Sequence, residues 1–153
     1  MEIIFLDTSA LAKRYVSEKG SEWISRLCEP DTAGLIYIAE ITTVEITSAI
    51  TRRLNSGSLS TNEAEIALSA FDFHLLSDYF VLEINSNLLS EASLLVRLHG
   101  LRSYDAVQLA VAGNFNRRQI EMNLPVVTFV SADNELLAAA KSEGLLIENP
   151  SNY

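Results

Sequence analysis

Cysteine, histidine, proline and glycine are all scarce in this 153-residue chain, at one, two, three and six residues. A single cysteine, Cys28, excludes an internal disulfide. His74 and His99 lie far apart in sequence and lack cysteine partners, which argues against a zinc site. The few glycines and prolines fall between periodic segments, as turn markers, except Gly113, which sits inside a helical pattern. There is no internal repeat, low-complexity tract or linker. No run approaches the ~18 apolar residues of a membrane-spanning helix. The start does not read as a secretory signal: Glu2 stands where a basic residue is expected, and the apolar run after it is short. The expectation is a soluble cytoplasmic protein without membrane contact. The length suits one domain, residues 1–153, burying roughly 68–70% of its unfolded surface. A composition of 48% hydrophobic and 20% charged residues is that of a globular chain.

What is present is an alternation. Five short apolar runs read as strands: Ile3–Leu6, Leu35–Ile38, Phe80–Ile84, Val126–Val130 and Leu145–Ile147. They lack polar alternation, as parallel strands covered on both faces do. Seven helical patterns lie between them: "SALAKRYV", "SEWISRLCE", "TTVEITSAITRRLNSG", "TNEAEIALSAFDFHLL", "NLLSEASLLVRLHG", "SYDAVQLAVAGNFNRRQ" and "DNELLAAAKSEG". The pattern predicts an α/β three-layer sandwich, a parallel sheet of about five strands flanked by helices. Ligands of such sheets sit at the carboxyl ends of the strands.

Four acids stand at that edge. Asp7 ends the first strand and Asp133 follows the fourth. Glu45 and Asp105 fall in the first turns of the third and sixth helices. Each has a plain structural reading. Asp7 and Asp133 suit N-caps, Thr42-Thr43-Val44-Glu45 matches a capping box, and Asp105 suits the second helical position after Ser103. Taken together they weigh differently. Four carboxylates at one end of a fold repel one another, and a hard divalent cation such as Mg²⁺ or Mn²⁺ relieves that repulsion. The chemistry that follows is metal-assisted phosphodiester hydrolysis, needing no histidine and no covalent nucleophile. Thr8, Ser9 and Ser131 are placed to orient these carboxylates, or to make turn and cap hydrogen bonds.

The motifs "FLDTSALAKRYV", "TTVEITSAI", "LRSYDAVQLA" and "FVSADNELLAAA" resemble, in order, those of the PIN-domain family, and within it the VapC-like toxins of type II toxin–antitoxin pairs. The resemblance spans Phe5 to Ala140. It implies a metal-dependent endoribonuclease with Asp7, Glu45, Asp105 and Asp133 as its acidic, metal-binding site. It also implies a homodimer and a cognate antitoxin partner. The interval from Asp105 to Asp133 is longer than in many relatives, with "GNFNRRQIEMNLP" extending the sixth helix and its connection. Ser131 stands where relatives commonly carry Thr, and keeps the hydroxyl. The alternative reading is a PIN-type fold serving as an RNA- or protein-binding regulatory module without nuclease activity.

A net charge of −9 opposes nucleic-acid binding unless the acids are neutralised by metal. Lys13, Arg52 and Arg102 are candidate phosphate contacts, with ion-paired or solvated surface residues as the plain reading. Arg117 and Arg118 read as surface or dimer residues. Trp23, Tyr37 and the "FDFHLL" aromatics suit core or dimer packing, His74 a partly buried helix position, and Cys28 the core. Two other acidic-edge folds fit less well. A haloacid-dehalogenase-like phosphatase needs a second Asp at position 9, which is Ser. A receiver domain needs an Asp ending the third strand, and "FVLEINS" has none.

Overall fold

The computed structural model describes residues 1–32 and 34–153. Its sheet has five strands: β1 (Glu2–Leu6), β2 (Gly34–Ala39), β3 (Tyr79–Leu82), β4 (Val127–Val130) and β5 (Leu146–Glu148), in the order β3-β2-β1-β4-β5. Every pairing is parallel; Phe5 of β1 stands between Tyr37 of β2 and Phe129 of β4. The helices are α1 (Thr8–Leu11), α2 (Ser21–Leu27), α3 (Thr42–Asn55), α4 (Thr61–Ser77), α5 (Ser86–His99), α6 (Ser103–Glu121) and α7 (Asn134–Ser142). This is the sandwich the alternation predicts.

Successive residues of the strands face opposite layers. Ile3, Phe5, Val127 and Phe129 pack with α5, α6 and α7, where the Phe5 and Phe129 rings stack at 5.5 Å. Ile4, Leu6, Ile36, Ile38 and Val130 pack with residues of α1 to α4. Burial on both faces is why β1 reads as an unbroken apolar run.

Local chemistry sets most element ends. Ser60 and Glu63 form a reciprocal capping box on α4, and the Asn85 side chain caps α5. Gly100 closes α5 at φ 67°, a conformation that costs glycine little. Two expectations need correction. β3 stops at Leu82 rather than Ile84, because the Ile84 N–H donates to the Glu40 carboxylate at 2.9 Å instead of a strand. The first helical pattern divides into α1 and a 3-10 turn, Ala12–Arg14. Arg14 pairs there with Asp78 at 2.9 Å, tying that turn to the α4–β3 junction. Cys28 is buried, and Tyr37 packs against Phe80 and Phe115, while Phe73 and Leu76 of "FDFHLL" face outward.

The route from β3 to β4 positions the site. α5 and α6 carry the chain over one face, past β2 and β1, to a strand on the far side of β1. α6 runs to Glu121, lengthened as the sequence suggests, and its connection is tied down by side chains. Asn116 accepts from the Val127 N–H at 2.9 Å, and Gln119 donates to the Pro125 carbonyl at 3.2 Å. β2 and β4 lie on opposite sides of β1, so the strand order reverses at β1 and leaves a crevice outside its carboxyl end. No helix among the described residues is long and apolar enough to cross a membrane.

Phe129 is fully buried in the stack between sheet and α6. Phe129→Ala is expected to cost about 3–5 kcal/mol, read as a lowered urea midpoint with an unchanged m-value. A loss below about 1 kcal/mol would show that the ring pair does not hold this face together.

Candidate active site

Asp7 follows β1 and is 2% exposed. It caps α1: Oδ1 accepts from the Ala10 N–H at 2.8 Å. Two hydroxyls complete its surroundings. Ser9 donates to Asp7 at 2.8 Å, and Ser131 donates to Oδ2 at 2.7 Å. Those hydroxyls accept in turn from backbone: Ala132 N–H donates to Ser9 and Asp133 N–H to Ser131, each at 3.0 Å. The β4–α7 loop is thereby clamped onto the β1–α1 loop through one carboxylate. Burial pushes the Asp7 carboxyl up to about 6; the hydrogen bonds from Ser131, Ala10 and Ser9 oppose this, and the Asp105 charge adds to it.

Glu45 departs from the capping-box expectation. α3 has Ile41 at its N-cap, with no side-chain cap, so Thr42 and Glu45 lie inside the helix. Tertiary partners hold both instead. Glu45 Oε1 accepts from the Thr8 hydroxyl and from Gln108 Nε2, both at 2.9 Å. Gln108 Nε2 also lies 2.9 Å from Thr42 Oγ1 and 3.1 Å from Thr8 Oγ1. Adjacent residues of α1 therefore serve different acids, Thr8 reaching Glu45 and Ser9 reaching Asp7.

Asp105 lies in the first turn of α6, one position later than expected, because Arg102 rather than Ser103 is the N-cap. It is half-buried, and its carboxyl is raised by burial and by the charges of Asp133 and Glu45, with Arg102 opposing. Asp133 caps α7, its Oδ1 accepting from the Glu135 and Leu136 N–H groups at 2.9 and 3.1 Å. The cap readings of Asp7 and Asp133 thus hold, alongside whatever else these acids do.

The four acids sense one another through Asp105. In kind they suit a hard cation: the donors are carboxylate oxygens, mutually repelling, two of them with raised pKa. In position they are open. Among the described residues, no three carboxylate, histidine or cysteine side chains converge closely enough to hold an ion. Holding one through three side chains would require movement at this edge, whereas one or two carboxylates completed by water would not.

Of the basic candidates, Lys13 is turned away from any phosphate role. It is 7% exposed, and its amine donates to the Lys19 carbonyl at 2.8 Å and faces Glu18 at 3.4 Å. Arg52 is exposed on the Glu45-bearing helix and donates to Ser48 at 3.1 Å. Arg102 is exposed at the start of α6, close enough to oppose the rise at Asp105. Arg53 pairs with Glu18 and Arg117 with Glu91. The residue the sequence reading passed over is Gln108. Its only signal was position, one helical turn after Asp105 and polar within an apolar stretch.

A model of the PIN domain matches residues 4–143. No curated protein matches by sequence. Among solved structures, the chain resembles Mycobacterium tuberculosis VapC20, a sarcin–ricin-loop-cleaving toxin, at 19% identity and a TM-score of 0.62, over 89% of this chain and 94% of that one. PAE2754 from Pyrobaculum aerophilum is 22% identical with a TM-score of 0.61, over 99% and 85%. VapBC2 from Rickettsia felis, bound to a DNA fragment from its promoter, is 16% identical with a TM-score of 0.56, over 96% and 98%. Identities this low establish a shared fold.

The Asp7 carboxyl is raised from 3.8 to about 6, so ionising it costs stability as pH climbs through that window, in total about 3 kcal/mol at neutral pH. Asn keeps the acceptor for the Ala10 N–H, and its amide can donate to the rotatable serine hydroxyls. In chelator-treated protein at pH 7.5, Asp7→Asn is expected to gain about 1–3 kcal/mol by urea unfolding. The gain should vanish below about pH 4, where Asp7 is protonated in both states. A gain that does not change with pH would remove charge burial as its cause.

Proposed function

We propose that this chain, which belongs to the PIN domain family, is a divalent-metal-dependent endoribonuclease, the toxin of a toxin–antitoxin pair. The observation that carries this reading is the placement of Asp7, Glu45, Asp105 and Asp133. The four carboxylates come from four separate segments that end or begin at the carboxyl edge of a parallel sheet. Mg²⁺ or Mn²⁺ bound there would supply an activated water and charge stabilisation for RNA phosphodiester hydrolysis. The protein's own part is to hold the acids. Asp7 is fixed through both oxygens, by Ala10 N–H on one and Ser131 on the other. Glu45 is held through Oε1, leaving its second oxygen for a ligand. Asp105 carries the charge most exposed to the other acids, and Asp133 orients the start of α7. Arg102 at the mouth, with Arg52 two turns beyond Glu45, would meet substrate phosphate.

The resemblance to toxin structures, among them a VapBC2 assembly on promoter DNA, supports a cognate antitoxin; a homodimer acting on RNA in the cytoplasm completes the proposal. One observation favours a second reading, a binding module without nuclease activity: among the described residues, no three acids converge as they stand.

Purified, antitoxin-free protein incubated with structured RNAs separates these. Cleavage is expected in Mn²⁺, lost on adding EDTA, and reduced at least about 100-fold in Asp7→Asn and Asp105→Asn. Equal cutting by wild type and both variants would sink the assignment. RNA binding without metal-dependent cutting would favour the module.

A further inference from the structure

We propose that Gln108 is the positioning residue of the acidic site, holding Glu45 in the orientation the reaction uses. This inference rests on the nuclease reading for its consequence but not for its geometry. Gln108 is 2% exposed and sits among buried Ala106, Val107, Leu109, Ala110, Val111 and Ala112. Its amide makes no bond to backbone. Nε2 faces three side-chain oxygens, on Thr8, Thr42 and Glu45, each from 2.9 to 3.1 Å. With two hydrogens to give, and the Thr8 hydroxyl already donating to Glu45, the amide serves Glu45 and Thr42.

The other end of the amide is unsatisfied: Oε1 is buried with no hydrogen-bond partner among the described residues. Reversing the amide would not repair this. It would set two acceptors, Gln108 Oε1 and Glu45 Oε1, about 2.9 Å apart. The observed orientation keeps the donor on the carboxylate and leaves the carbonyl unpaired. An apolar side chain of similar size would satisfy the surrounding helix face better. A residue that costs the fold something, and whose donor is spent on a site carboxylate, is placed for the site. It spans three elements: α6 carries it, α3 carries Glu45 and Thr42, and α1 carries Thr8.

The test uses Gln108→Leu and Gln108→Glu in the full chain. Gln108→Leu removes the donor while keeping bulk, so it is expected to melt within about 4 °C of wild type. In metal-free protein, side-chain scalar couplings are expected to show one Glu45 rotamer in wild type and averaging in Gln108→Leu. With RNA and Mn²⁺, kcat should fall about 10- to 100-fold in Gln108→Leu, with KM changed less than about threefold. Gln108→Glu keeps the shape but sets a second carboxylate against Glu45, and should restore neither the rotamer nor the rate. A single Glu45 rotamer in Gln108→Leu overturns the proposal. So does an unchanged kcat in that variant where wild type cuts and Asp7→Asn does not. A loosened Glu45 beside an inactive wild type supports the hold of Gln108 on Glu45 and fells the nuclease reading instead.

Discussion

The carboxyl edge of this sheet is organised around one buried charge, the Asp7 carboxylate. A carboxylate that deep must have donors, and it collects them from three directions: its own helix through Ala10, the neighbouring Ser9, and the loop after β4 through Ser131. Each donor constrains something else. Ser9 and Ser131 are themselves held by the Ala132 and Asp133 N–H groups. The start of α7 is therefore placed relative to β1 by hydrogen bonds that converge on Asp7. Thr8, next in sequence, points the other way and extends the network to Glu45, Thr42 and Gln108. That carboxylate thus fixes α1 and α7 directly, while Thr8 of the same helix separately links α3 and α6 to this edge.

Capping and chemistry do not compete for these acids. Asp7 spends Oδ1 on Ala10 N–H, and Asp133 spends Oδ1 on two N–H groups at the start of α7. A carboxylate has about four lone-pair sites, so each cap leaves capacity unspent. The cap also removes motion, since a side chain bonded to its own helix has fewer rotamers available. A strand-end acid that caps a helix is consequently a good place to fix a ligand.

The layered fold was legible because its signal is local and repeated: apolar runs too continuous for a half-exposed strand, separated by helical periods. The shared edge of Asp7 and Asp133 was legible because topology alone sends residues after parallel strands to one edge. What escaped depends on contacts between distant residues. "FVLEI" reads as strand to its end, but Ile84 is drawn to Glu40, 44 residues away. Thr42 and Glu45 match a capping box locally, but Thr8 and Gln108 claim both side chains. Lys13 looks like a free cation on a short helix, yet its loop folds the Lys19 carbonyl onto it. Gln108 is one amide in an apolar helix, and no spacing rule marks it.

The buried polar residues, sorted by what they bond, separate scaffold from site. Asn116 serves the Val127 N–H, Gln119 the Pro125 carbonyl, Asn149 the Ser151 N–H and Lys13 the Lys19 carbonyl. Each answers a backbone group that a loop or turn would otherwise leave unpaired, which is reason enough for its burial. The polar groups buried at the carboxyl edge behave differently. Thr42 and Gln108 bond side chains, and Ser131 donates to the Asp7 carboxylate. Loop closure accounts for Ser131, which also accepts from the Asp133 N–H, but not for the Thr42 and Gln108 contacts, and apolar residues at those two positions would leave no backbone group unpaired. Polar groups buried to orient carboxylates, at a cost visible in the raised Asp7 pKa and the unpaired Gln108 carbonyl, are what the proposed site would require.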